Sequence, residues 1–140
     1  MKTHRILLAS LTLLGVIACV CSCAESGFTT DPLGNVTRIE LTDNASRPLK
    51  VISDPAQIRS IVAFVDSHRM SWTKPFPDTP IPRLIANFYN GTKFVGHFGA
   101  GKTFFETQCQ DDFCSQNATH NEVKQFLGLL DEPESLLNWH

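Results

Sequence analysis

Arg83–Phe98, RLIANFYNGTKFVGHF, is the stretch whose reading decides the fold. Two runs of strand-forming residues flank Asn90-Gly91, the preferred pair for a two-residue type I′ turn. The stretch reads as a β-hairpin, which commits the centre of the chain to an antiparallel sheet. Upstream, Val36–Thr42 alternates apolar and polar residues as a half-buried strand does. A turn at Asp43-Asn44 then leads into Leu49–Ser53 as the second arm of another hairpin.

Between the hairpins lies a helix. Asp54 is placed as N-cap, Pro55 sits in the first turn where a missing N–H costs little, and Gln57 is positioned to complete a capping box. Ile58, Ile61, Val62 and Val65 follow at the spacing of one helical face, which predicts a helix over about 55–69. The next segment, 70–82, carries Pro75, Pro77, Pro80 and Pro82. These residues lack backbone donors and bar helix and central strand alike, so the segment is an extended loop. Its large apolar residues Trp72, Phe76 and Ile81 either close one end of the core or form a stiff binding edge.

Downstream, a strand is expected over Lys102–Thr107, then a loop between Cys109 and Cys114. Thr119 and Glu122 have capping-box spacing, and Val123, Phe126, Leu127 and Leu130 repeat the helical stripe, predicting a second helix over 119–130. The apolar tail at Leu136-Leu137 is expected to pack back on the core. The fold class is therefore α+β: an antiparallel sheet of four or five strands with both helices on one face. The other face would be solvated or used for binding.

Gly96–Thr103, GHFGAGKT, has the spacing of a phosphate-binding P-loop. A P-loop works because a strand delivers it to a helix N-terminus, where backbone N–H groups hold phosphate. Here the preceding residues are a hairpin arm and the following ones, Phe104–Cys109, are strand-like. The segment reads as a bend between antiparallel strands, and no nucleotide partner is expected.

The first residues concern location. Lys2 and Arg5 precede an apolar run from Ile6 to Val20, the charge order of a secretory signal peptide. At 15 residues the run is shorter than the roughly 20 that a spanning helix needs. Val16-Ile17-Ala18-Cys19 resembles the lipobox of bacterial lipoproteins. That resemblance covers the export segment alone. It implies cleavage after Ala18, a diacylglycerol on Cys19, and anchorage on a membrane surface. In these lipoproteins an aspartate after the cysteine favours the inner membrane; Val20 stands there instead. The resemblance thus implies the bacterial envelope, at the outer membrane facing the periplasm. Residues 1–18 would be the signal peptide, 19–35 a polar lipidated tether, and 36–140 one domain, as the length suggests.

Without residues 1–18 the chain holds ten basic against fourteen acidic side chains, a net charge of −4 with histidines neutral. That argues against nucleic acid, which calls for a basic face. In an oxidising compartment Cys109 and Cys114 are expected to pair as a disulfide closing a short acidic loop, with Cys21 and Cys23 left open. A metal site at the two cysteines would need two further ligands that the sequence does not point to, and Asp111-Asp112 lacks the spaced oxygens of a calcium loop. Neither metal nor cofactor is expected.

His68, His97, His120 and His140 are scattered, no serine stands in a nucleophile elbow, and no H-E-x-x-H occurs. The expected role is non-catalytic: a lipid-anchored protein that binds another protein, such as an inhibitor or immunity factor against a secreted hydrolase or toxin. Its candidate contacts are Trp72, Phe76, Asp111, Asp112 and Phe113. The alternatives are an accessory of an envelope secretion or cell-wall assembly, and an enzyme or small-ligand carrier using His97 and the glycine bend. Cys19→Ser is predicted to abolish lipid labelling and release the protein from the membrane fraction; continued labelling would refute the assignment of the lipidated residue.

Overall fold

The computed structural model describes residues 27–74, 78 and 80–138; Cys19, Phe76, Trp139 and His140 lie outside them. Six strands form one antiparallel sheet: β1 (Arg38–Asp43), β2 (Pro48–Ile52), β3 (Leu84–Asn90), β4 (Lys93–Ala100), β5 (Phe104–Cys109) and β6 (Asp112–Asn117). Their order across the sheet is β2-β1-β3-β4-β5-β6. Helices α1 (Pro55–Ser67) and α2 (His120–Leu129) follow β2 and β6, and a short 3-10 turn spans Glu134–Leu137. The fold is α+β with an antiparallel sheet and two helices, but with six strands rather than four or five.

The additional strand is β6, expected to be loop. Gln110 and Asp111 form a two-residue turn that pairs Cys109 with Asp112 and Thr107 with Cys114. Asp112 and Ser115 are weak strand formers by propensity, and pairing with β5 overrides it. This register also corrects the expected disulfide. Cys109 and Cys114 are diagonal rather than opposed, and both are free thiols buried beneath the sheet. Burial, reinforced by the neighbouring Cys114, pushes the Cys109 thiol up to about 12.

Strand alternation sends Ile39, Leu41, Leu84, Ala86, Phe88, Phe98, Ala100 and Phe105 into a single core. Ile58, Ile61, Phe64 and Val65 of α1 and Val123, Phe126 and Leu127 of α2 meet them there. At its centre Phe98 lies 4.8 Å from Phe105 and 5.1 Å from Phe126, and Phe126 lies 5.3 Å from Phe64, centroid to centroid. Trp72 joins edge-on to Phe98 at 5.9 Å, and Leu137 packs back as expected.

Local signals are met in two cases and diverted in two. Asp54 Oδ2 accepts from the Gln57 amide at 2.7 Å, and the Thr119–Glu122 capping box is complete. Gln57 does not close its own box. Its Nε2 donates to Leu129 O and Asp131 Oδ2, each at 2.9 Å, and Lys50 Nζ donates to Leu130 O at 3.0 Å. The carbonyl end of α2 is thereby capped from α1 and β2. In the central hairpin Asn90 pairs with Lys93, so the turn residues are Gly91 and Thr92. Gly91 alone has positive φ, at 61°, which suits a type II′ turn rather than the expected I′.

Part of the stretch read as a tether is docked. Phe28 and Trp72 exchange backbone hydrogen bonds at 2.6 and 3.1 Å, and the Leu33 amide donates to Asp66 Oδ1 at 3.1 Å. Among the described residues no helix is long and apolar enough to cross a membrane.

Because both thiols are buried, Cys109 and Cys114 are predicted to resist maleimide at neutral pH in the native protein and to react after denaturation. Peptide mapping checks this; a bonded 109–114 peptide pair would restore the disulfide.

Candidate partner-binding cleft on the open sheet face

The register sends a second set of side chains away from the helices. Asn87 is opposite His97, Ile85 opposite Gly99, Gly99 opposite Glu106, and Gln108 opposite Phe113. Pro80, Ile81 and Pro82 pass over this face as a strap, and between strap and sheet lies a cleft of about 500 Å³. Asn87, His97, Glu106 and Gln108 line it as polar groups, with Ile85 and Phe113 as apolar walls.

Glu106 and His97 form the central pair. His97 Nε2 lies 3.0 Å from Glu106 Oε1, with side-chain exposures of 12% and 4%. Burying a carboxylate this fully demands hydrogen bonds. Glu106 Oε2 accepts none from the described residues; it rests over Gly99, where a Cβ would lie 2.8 Å from it and 2.7 Å from the Pro82 Cβ. Gly99 is thus required by space: its missing side chain admits both the carboxylate and the strap. The Thr107 hydroxyl donates to His97 O at 2.8 Å, bridging β4 and β5 where they separate beyond their two paired positions.

The helix side carries another polar cluster. Ser67 Oγ lies 3.0 Å from His68 Nδ1, and His68 Nε2 lies 3.7 Å from Glu122 Oε1. The order resembles that of a nucleophilic triad, but His68 Nδ1 also lies 2.8 Å from Phe64 O. A carbonyl only accepts, so Nδ1 carries the proton and cannot take one from Ser67. Ser67 Oγ itself donates to the same carbonyl at 2.6 Å. The cluster caps the end of α1 and ties it to α2.

The residues proposed from sequence are separated by the fold. Phe113 stands at the cleft mouth, 52% exposed, with its ring 6.0 Å from that of His97. Asp111 and Asp112 occupy the exposed β5–β6 tip, where Asp112 Oδ2 lies 3.5 Å from Lys74 Nζ. Trp72 is only 1% exposed and belongs to the core, not to a contact surface. Phe76 lies outside the described residues. Gly96–Thr103 forms the end of β4 and the turn into β5, with the Gly101 amide donating to Phe104 O at 2.9 Å. Among the described residues no three His, Cys, Asp or Glu side chains gather as a metal site.

Sequence reasoning does not single out Glu106, and it names His97 only among scattered histidines and in the alternative that joins it to the glycine bend. The available signal was a charged residue inside the strand run Phe104–Thr107, but its partner becomes visible only once Gly99 is known to lie opposite. No family model matches the chain, and no curated protein or solved structure matches it.

Gly99→Ala is predicted to destabilise by about 1–3 kcal/mol through overpacking, read as a lowered midpoint in urea. Gly128→Ala, in α2 with open space at its Cβ, should instead stabilise by about 0.5–1 kcal/mol. Equal effects of the two would refute the space argument at Gly99.

Proposed function

We propose that this chain is a lipid-anchored envelope protein that acts without catalysis, by binding another protein through the open sheet face. The observation that carries the reading is the uncovered cleft, flanked by two large apolar side chains in solvent: Ile81 at 71% and Phe113 at 52% exposure. Apolar anchors around a recessed polar group are the arrangement of interface hot spots. Among the described residues the His97 ring hydrogen-bonds to Glu106, and the Thr107 hydroxyl is engaged with the His97 carbonyl. The address that goes with this reading, from the lipobox resemblance at Val16–Cys19, is the outer membrane facing the periplasm. There, an inhibitor or immunity factor against a secreted hydrolase or toxin is the role this surface fits best.

A second reading, an accessory subunit of a secretion or cell-wall assembly, is favoured by the sheet edge. At β6 the edge is covered, because Thr73 and Ser115 exchange backbone hydrogen bonds at 3.0 and 2.9 Å. The outermost strand at the other edge, β2, carries Leu49 and Val51 at 44% and 60% exposure. An unpaired strand edge accepts another strand.

Two surface variants separate the readings, with the full chain in mild detergent as bait for envelope extract and secreted proteins of competing strains. Retention of a hydrolase by the native chain, its stoichiometric inhibition, and its loss from Ile81→Asp/Phe113→Asp are the expected results. A resident complex lost only from Val51→Lys would move the function to the β2 edge, and identical retention by all three proteins would discard both surfaces.

A further inference from the structure

Resting on the protein-binding reading, we infer that the cleft beneath Pro80–Pro82 is a receptor for one arginine side chain of the partner. The cleft is a set of acceptors. Glu106 is nine-tenths buried and has one oxygen satisfied by His97, while Oε2 lies over Gly99 without a donor among the described residues. Oε2 is not sealed from solvent as a fully buried unpaired atom would be, so a donor arriving through the cleft can reach it, and a charged donor binds a carboxylate oxygen most strongly. Asn87 adds to this: its Nδ2 is turned to Glu40 O and Thr42 Oγ1, both at 3.4 Å, which leaves Oδ1 as its unused group.

The walls select among cations. Phe113 is half exposed at the mouth and presents a ring on which a planar cation stacks. Ile85, Ile81 and Pro82 supply the apolar surface that an aliphatic stem covers. A guanidinium carries several N–H donors in one plane, so it donates to Glu106 Oε2 through its edge and keeps its face for the Phe113 ring; an ammonium is a hydrated point charge that does not stack. A bare metal ion is disfavoured because one carboxylate and amide oxygens fall short of a coordination shell. The proposed occupant is therefore an arginine projecting from the surface of the bound protein, clasped between strap and sheet.

The probe is Nα-acetyl-arginine amide, titrated into the isotope-labelled full chain in detergent micelles while backbone amide shifts are followed. Nα-acetyl-lysine amide and the neutral isostere Nα-acetyl-citrulline amide serve as comparators. The expected result is a saturable response at Asn87, Gly99, Gln108 and Phe113 with a Kd in roughly the millimolar range. The lysine probe should bind about five- to tenfold more weakly, and citrulline should give no saturable response. Glu106→Gln keeps an acceptor for His97 and should weaken arginine binding about tenfold or more. If that variant fails to fold, Phe113→Ala, at an exposed position, should collapse the arginine-over-lysine preference. Citrulline binding as well as arginine, no saturable response, or an unchanged preference in both variants would overturn the inference. A protein partner lost from Ile81→Asp/Phe113→Asp, together with a silent arginine probe, would overturn the arginine receptor and leave protein binding standing. Arginine binding with no captured protein would retain the receptor chemistry and remove the protein partner.

Discussion

The structure depends on a cluster of phenylalanines. Phe98 and Phe105 rise from adjacent strands, Phe64 and Phe126 descend from the two helices, and their centroids lie within 4.8–6.3 Å of one another. Each ring buries a large apolar area, and edge-to-face pairs add directional attraction. Because all four rings meet on one side of the sheet, both helices are drawn to that side. The opposite face is left to the proline strap alone.

That asymmetry explains how a polar pair comes to lie deep in a small domain. Gly99 has no side chain, so Pro82 settles against the sheet, and the shelter it creates covers Glu106 and His97. The same missing atom that lets the strap close also lets the carboxylate lean toward the imidazole. Packing and electrostatics are coupled at one residue. The cost of burying Glu106 is offset in part by His97, and the remaining oxygen gives the cleft its chemical character.

The helices were legible because their signals are local. Asp54 and Thr119 each sit before an apolar stripe, and both hold the backbone amide three residues on. The hairpin around Gly91 was legible for the same reason, although its turn slipped by one residue. Strand β6 was not. Asp112 and Ser115 have no strand preference of their own and are held by β5 on one side and Thr73 on the other. Trp72 misled because a large aromatic in a proline-rich loop has the same composition whether it caps a core or faces a partner; only the contact with Phe98 separates the two.

By itself the sequence determined the antiparallel α+β character, the helix positions and their caps, since these rest on periodicity and short-range hydrogen bonds. Its first residues resemble a lipoprotein export signal, and the envelope address proposed above rests on that resemblance. The tertiary structure alone decided the sixth strand, the separation of Cys109 from Cys114, and the meeting of His97 with Glu106. Those outcomes depend on which residue stands opposite which across a sheet. A shift of one position would exchange the two faces, and no local pattern in β4 or β5 specifies that pairing.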